Sequence, residues 1–148
     1  MNFELLNENE YLKRFEELKS LQFIELNNYL KVYYSQSLLD LVGKDFDVFP
    51  PPKKSDKMEP QSCYPNAIKK LQDGYQYVEG VITCKNSGDK ISHAWNVDSN
   101  GRHIDFTILE TANFKYKGVI IPQHILGQVG LKNGGKWYCC LPYLELVL

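Results

Sequence analysis

The sequence predicts an α+β domain in which helices pack on an antiparallel β-sheet. Two patterns carry this prediction. In the first third of the chain, and again around residues 63–71, apolar side chains recur near the helical period of about 3.6 residues. From residue 75 onward, short runs of β-branched and aromatic residues alternate with turn signals, which is typical of antiparallel strands.

The length of 148 residues favours a single domain, residues 1–148, with room for a substantial core. Within it we expect a mainly helical N-terminal part at residues 1–49, a loop rich in proline and lysine at residues 50–60, and an α+β core at residues 61–148. The three consecutive prolines of the loop cannot continue a helix or a central strand, so they separate the other two parts.

Three helical segments are predicted before the strands begin. The first covers residues 8–30, where charged side chains lie opposite the apolar ones. The second covers Tyr29–Val42 and stops at Gly43, although part of it is equally compatible with a strand. The third runs from Cys63 to Leu71, because Ser62 is a suitable N-cap and the Asp-Gly dipeptide that follows is a stop signal.

The rest of the chain is predicted to form strands joined by short connections. An Asn-Gly dipeptide marks a tight hairpin at Asp98–Gly101. A short helix is expected at Pro122–Val129. The predicted strands are Tyr75–Cys84, Ile91–Val97, Arg102–Ile108, Tyr116–Ile121 and Lys136–Leu148.

The charge balance argues against several classes of partner. With 17 basic and 18 acidic residues, the chain has no electrostatic reason to bind nucleic acid or an anionic membrane surface. Its start lacks the basic and apolar regions of a signal peptide, and no apolar run approaches the roughly 20 residues of a membrane span. We therefore expect a cytoplasmic protein with reduced thiols.

The cysteines do not form a recognisable metal motif. Cys139 and Cys140 are adjacent in sequence and could be combined with His93, His103 or His124, but the paired spacings of a zinc site are missing. No metal or cofactor is predicted. Like this vicinal pair, Cys84 lies in an apolar strand context, where a buried structural cysteine is expected.

Three side chains in chain order could instead form a nucleophile, a base and an orienting acid. Cys63 is placed at a helix start, where the dipole favours thiolate over thiol. His93 lies on a predicted strand and shares a face with Trp95, and Asp105 follows on the next strand. Each has an ordinary alternative role, as a buried thiol, a core histidine or a strand-end cap. Together they have the types and order that thiol catalysis requires.

The hairpin decides whether Asp105 can reach His93. If the loop is Ser99-Asn100, Trp95 pairs with Ile104, and Asp105 lies opposite Ala94 and diagonal to His93. A slip of one residue, or a bulge, would bring Asp105 onto the face of His93. Adjacency of the two strands is therefore predicted, whereas the register stays open.

The segment from Gln61 to Thr107 resembles the transglutaminase-like superfamily, within the wider papain-like cysteine-enzyme fold. The resemblance lies in Cys63 at a helix start, Tyr77-Val78-Glu79-Gly80 on a strand, His93-Ala94-Trp95 on the next, and Asp105-Phe106-Thr107 after a hairpin. It implies a triad in which Cys63 is the nucleophile, His93 the general base and acid, and Asp105 the group that orients the imidazole. Such enzymes attack an amide or ester carbonyl and pass through a thioester.

The resemblance also implies supporting residues. The backbone amide of Cys63 and a second donor would hold the oxyanion, and Gln61 is the candidate for that donor. Asn96 would hydrogen-bond around the triad, and Trp95 would pack beneath it. No calcium loop of alternating acids is visible, which argues against the calcium-dependent animal enzymes.

These features favour a cysteine-dependent hydrolase acting on an amide bond of a protein or peptide substrate, as a peptidase, amidase or glutamine deamidase. Two alternatives are a non-catalytic binding module on the same fold and an acyltransferase or cross-linking transglutaminase. A third is an enzyme of the arylamine N-acetyltransferase type, which shares the order of the triad but has a longer chain.

Overall fold

The structure is a computed structural model, and it describes residues 2–5, 39, 43–123, 126–127 and 144–147. Within these residues the fold is mixed α+β, with helix α1 (Cys63–Lys69) packed against a six-stranded sheet. Short 3-10 helices occur at Lys54–Asp56, Lys70–Asp73 and Thr111–Asn113. The strands are β1 (Asn2–Leu5), β2 (Lys44–Phe46), β3 (Val48–Phe49), β4 (Gln76–Cys84), β5 (Lys90–Val97), β6 (His103–Ile104), β7 (Phe114–Ile121) and β8 (Leu144–Val147).

The six-stranded sheet is nearly closed into a barrel. Its strand order is β2-β7-β4-β5-β6-β3, and only Asp47 separates β2 from β3 in the chain. β2 pairs antiparallel with β7 at one edge, while β3 pairs parallel with β6 at the other. The segment Lys44–Phe49 therefore connects both edges of the sheet formed by β4 to β7. The remaining two strands, β1 and β8, pair antiparallel in a separate sheet.

One sequence prediction is wrong here: the sheet is not wholly antiparallel, because β3 runs parallel to β6. The described parts of residues 1–49 include strands at residues 2–5, 44–46 and 48–49, which the sequence did not predict. The strands at residues 44–49 form because buried and exposed side chains alternate there with a period of two residues. Phe46 and Val48 are less exposed than the acidic residues around them, as in a strand with one buried face. The helix predicted at residues 8–30 lies outside the described residues.

The helix at Cys63 and the strands β4, β5 and β7 lie close to their predicted positions, whereas most residues of the elements predicted at Tyr29–Val42, Pro122–Val129 and Lys136–Leu148 lie outside the described residues. α1 begins at Cys63 as predicted, and a 3-10 helix continues it to Asp73. Gly74 then ends the helical segment with a left-handed φ of 88°. Ser62 occupies the N-cap position, but its side chain makes no capping hydrogen bond. Of the described residues, no helix is long and apolar enough to cross a bilayer.

The sheet separates two apolar clusters. Side chains that alternate along β4, β5 and β7 point either toward α1 or into the partly closed barrel. The cluster on the α1 side contains Leu39, Ala67, Tyr77, Ala94, Val119, Ile121 and Leu126. The cluster inside the barrel contains Val48, Val78, Ile82, Trp95, Val97 and Tyr116.

Two facing glycines make room inside the barrel. Gly80 of β4 is paired with Gly118 of β7. A Cβ atom on Gly80 would lie 2.0 Å from the Lys117 carbonyl oxygen, and one on Gly118 would lie 2.6 Å from the Trp95 indole. Both distances are too short for real contacts, so the glycines allow the backbones to approach and the indole to enter.

Gly80→Ala is expected to destabilise the fold by at least about 3 kcal/mol, because the backbone of β7 must move to admit the methyl group. Urea denaturation measures the change. Gly127→Ala is the matched control, since its added carbon would meet no heavy atom within 4 Å. Equal stability of the two variants would contradict the close approach of β4 and β7.

Candidate active site

The β5–β6 hairpin contains a three-residue loop. Asp98 N donates to Arg102 O at 2.9 Å, so the loop is residues 99–101. Gly101 has a left-handed φ of 82°, the conformation that closes three-residue hairpin loops. The Asp98 carboxylate accepts hydrogen bonds from the amides of Asn100 and Arg102, both at 2.9 Å, and so stabilises the turn.

This loop shifts the register by one residue from the two-residue alternative. Val97 pairs with His103, and Asn96 pairs with Ile104. Because side chains alternate, His103 and Asp105 belong to the face of β5 that carries His93. The pairing of Trp95 with Ile104 that a two-residue loop predicts is therefore wrong, and the slip places the acid on the face of the imidazole.

The Asp105 carboxylate is fully buried and has four hydrogen-bond donors. Oδ1 accepts from the amides of Thr107 at 2.9 Å and Ile108 at 3.0 Å. Oδ2 accepts from the Tyr116 hydroxyl at 2.7 Å and lies 2.7 Å from His93 Nε2. Four donors match the acceptor capacity of an ionised carboxylate.

The same hydrogen bonds explain why β6 is short. A strand was predicted over Arg102–Ile108, but β6 covers only His103–Ile104. After Ile104 the backbone turns around the Asp105 side chain, whose Oδ1 takes the amides of the next residues. A short polar side chain that bonds nearby amides competes in this way with the strand ladder.

The His93 imidazole is buried, with 4% of the residue exposed. Burial alone would lower the pKa of His93, but the hydrogen bonds and negative charges of Asp105 and Cys63 raise it to about 9. The ring therefore carries a proton on both nitrogens at neutral pH. Because Nε2 faces Asp105, Nδ1 is the nitrogen left for the thiol.

Cys63 is the first residue of α1 and is partly exposed. One turn later on the helix, the buried Asn66 donates to Thr107 Oγ1 at 2.9 Å and to Glu59 O at 2.8 Å. These bonds fix the start of α1 to the segment that follows Asp105. The thiol is thereby held close enough to His93 to raise the proton affinity of the ring.

The other predicted site residues lie around this arrangement. Gln61 is exposed and has a left-handed φ of 61°, which is uncommon for a residue with a side chain. Asn96 donates to the carbonyls of Ala67 at 2.9 Å and Gln76 at 3.1 Å, so it connects α1 to the sheet. Trp95 lies beside His93.

The Trp95 indole is nearly parallel to the His93 ring, with centroids 6.3 Å apart. Its Nε1 donates to His103 Nδ1 at 2.9 Å. Burial lowers the pKa of His103, so that ring stays neutral and its Nδ1 stays an acceptor. Phe46 stacks on His103 at 3.9 Å and completes the packing behind the triad.

Sequence reasoning missed Asn66 and Tyr116. Asn66 carries a weak signal, since asparagine inside a short helix is unfavourable unless its amide is used in tertiary contacts. Tyr116 carries none, because nothing local shows that its hydroxyl meets an acid from another strand.

Cys84 differs from its interpretation as a buried structural thiol. It is partly exposed at the end of β4. A hydrogen bond to the Ser87 side chain, and others to the backbone at Ser87 and Asn86, lower its pKa. Thiol-labelling experiments therefore need a Cys84→Ala background. Cys139 and Cys140 lie outside the described residues.

Within the part of the chain that is described, no group of three or more His, Cys, Asp and Glu side chains could hold a metal ion. Comparison of the chain with protein-family models, with curated proteins and with solved structures finds no match in any of the three.

Proposed function

We propose that the protein is a cysteine-dependent hydrolase that cleaves an amide bond through a thioester intermediate. The observation that supports this most directly is the buried contact of 2.7 Å between His93 Nε2 and Asp105 Oδ2, with the accessible Cys63 thiol at the same ring. A protonated imidazole beside a thiol stabilises the thiolate, which is the reactive form.

In the acylation step, the Cys63 thiolate attacks the carbonyl carbon and the π electrons move to the carbonyl oxygen. When this oxyanion collapses, the bond to nitrogen breaks and His93 gives its Nδ1 proton to the departing amine. A thioester and a neutral imidazole remain. Asp105 keeps the ring in place throughout, because its Oδ2 accepts a hydrogen bond from Nε2–H whether the imidazole is charged or neutral.

Deacylation reverses the proton transfer. Water loses a proton to Nδ1 of His93 as its oxygen attacks the thioester carbonyl. Collapse of the second oxyanion expels the Cys63 thiolate, releases the carboxylic acid product and restores the charged pair. Had the water been replaced by an amine, the same steps would transfer the acyl group.

The oxyanion would form near the start of α1. The first bond within the helix runs from Asn66 N to Ser62 O, so the amide of Cys63 has no acceptor in the helix. Ser62 does not cap this turn with its side chain. These features support the Cys63 amide as one donor. We assign the second donor to Gln61, which is exposed and precedes the nucleophile by two residues.

The arrangement also supports a papain- or transglutaminase-like core as the finer description of the fold. The helix α1 carries the Cys63 thiol at its first residue. The proposed base, His93, lies on β5, and the proposed acid, Asp105, lies just after the neighbouring strand β6. A protein or peptide is the substrate class that this resemblance implies.

A binding module is the second candidate, and one feature favours it. A cleft of about 850 Å³ opens between residues 45–50 and the start of β7, lined by aromatic rings and by both acidic and basic side chains. A protein that only binds ligands would use this cleft and leave Cys63 unreactive.

Acylation by p-nitrophenyl acetate tests the hydrolase. In the Cys84→Ala background, we expect a burst of nitrophenolate and an acetylated Cys63, identified by peptide mass spectrometry. Slow turnover should follow as water removes the acetyl group. Peptides that contain glutamine then separate amide cleavage, which yields a new amino terminus, from deamidation, which yields ammonia. Acetylation of Cys63 no faster than in a His93→Gln variant would contradict the proposal and favour the binding module.

A further inference from the structure

Tyr116 reaches the triad from a distant strand. It lies on β7 and pairs with Ile82 of β4, while Asp105 follows β6 on the far side of β5. Its ring packs edge to face on Trp95, with centroids 5.0 Å apart, and faces His93 at 6.2 Å. Gly80, which pairs with His93 across β4 and β5, has no side chain between the imidazole and β7, and the backbone of β7 approaches closely there.

The Tyr116 hydroxyl is not needed to orient the carboxylate. The amides of Thr107 and Ile108 already hold Oδ1 of Asp105. The hydroxyl instead donates to Oδ2, the oxygen that faces His93, and both distances to that atom are 2.7 Å. The Tyr116 hydroxyl and the His93 imidazole therefore bind the same carboxylate oxygen of Asp105.

In its bond to Asp105 this hydroxyl is the donor. Burial, followed by the negative charges of Asp105 and Glu110, raises the pKa of Tyr116 above its usual range, so the proton stays on the phenol. A donor on a carboxylate oxygen disperses part of its negative charge. Less charge then acts on the neighbouring imidazole.

We propose that Tyr116 is a positioning residue that acts through Asp105 and limits how strongly this carboxylate holds the proton of His93. The consequence concerns the proton that His93 must give to the leaving group. Without the hydrogen bond from Tyr116, the full charge of the Asp105 carboxylate would make the imidazolium of His93 a weaker acid. With that bond in place, the imidazolium releases its Nδ1 proton more readily. This role deepens the proposed hydrolase and depends on it.

The groups around the imidazole fix the sign of the expected effect. In the described part of the chain, the titratable side chains near His93 are Cys63 from α1, Asp105 beyond β6 and Tyr116 from β7. Among the described residues, Gly80 of β4 and Trp95 of β5 face the ring without adding charge. Removing the hydroxyl thus leaves more negative charge on Oδ2 of Asp105, and this charge should stabilise the protonated form of His93 more strongly.

Tyr116→Phe removes only this hydroxyl. We expect the titration midpoint of His93, followed by NMR of the ring Cε1–Hε1 signal, to rise by about 0.5–1 pH unit above that of the parent chain. The signal is assigned with His93→Gln. Incorporation of 3,5-difluorotyrosine at position 116 supplies a stronger donor without changing the packing, and the midpoint should then fall. An unchanged midpoint in both proteins, a fall in Tyr116→Phe, or a rise with difluorotyrosine would overturn the role of Tyr116.

Tyr77→Phe is the matched control. The Tyr77 hydroxyl donates to the buried carboxylate of Glu79 at 2.7 Å, on the α1 side of the sheet, so its loss should leave the His93 midpoint unchanged. The titration of His93 in the parent chain distinguishes failure of the proposed function from failure of the inference about Tyr116. If its His93 does not titrate above an ordinary imidazole, the proposed triad fails. If it does, and Tyr116→Phe leaves the midpoint in place, only the inference about Tyr116 fails.

Discussion

Replacing His93 by glutamine is expected to slow the alkylation of Cys63 by iodoacetamide about 100-fold at about pH 6.5, because an ordinary thiol is only about 1% ionised there. The proposed mechanism requires that the imidazolium of His93 stabilise the thiolate in the parent chain, and the rate there should then not be limited by ionisation. The glutamine keeps a polar group of similar size but carries no charge. Peptide mass spectrometry over time, in the Cys84→Ala background, gives the rate at Cys63 alone.

His103→Gln is the control for this experiment. It also replaces a buried histidine, but His103 accepts a hydrogen bond from Trp95 and does not contact the thiol. Cys63 should keep its reactivity in that variant. If parental Cys63 reacts only as fast as a free thiol such as glutathione, the thiolate–imidazolium pair does not exist and the proposed enzyme is excluded.

Asp105→Asn is expected to lower the rate of acyl transfer by about 1,000- to 10,000-fold while the chain still folds. The asparagine oxygen can still accept the amides of Thr107 and Ile108, so the turn after β6 is kept. Its NH₂ group then faces His93 Nε2, which must become an acceptor. The ring proton moves to Nδ1, and the imidazole can no longer take a proton there.

Two measurements separate this effect from damage to the fold. The midpoint of urea denaturation shows whether Asp105→Asn is folded. The alkylation rate of Cys63 shows whether the thiolate is lost. Asp105→Ala removes the turn as well as the charge, so it should be much less stable than Asp105→Asn. An asparagine variant with parental esterase activity would show that the carboxylate does not orient the imidazole.

The parts of the site that were predictable depend on local signals. A stop dipeptide and a plausible N-cap marked the helix that starts at Cys63, and alternation marked the strand of His93. The register was not predictable, because the Asn-Gly signal fits both two- and three-residue loops, and a left-handed glycine suits either. The hydrogen bond from Asp98 N to Arg102 O shows that the loop has three residues, and this length places Asp105 on the face of His93.

Long-range features were not predictable for a different reason. The strand pairing of Lys44–Phe49 depends on partners 70–74 residues away in β7 and 55 residues away in β6, at the two edges of the sheet formed by β4 to β7. A run of prolines beside it favoured a loop. Asn66 and Tyr116 likewise gain their roles only from contacts with Thr107 and Asp105, which no periodicity reveals.

The turn after β6 makes the backbone a reporter of the chemistry. The amides of Thr107 and Ile108 have a side-chain oxygen of Asp105 as acceptor, where a longer strand would have supplied a carbonyl. Their proton chemical shifts and hydrogen-exchange rates should therefore follow the charge on that oxygen. A bound acyl group or a change in ring protonation could be read from two ordinary backbone resonances, without a substrate assay.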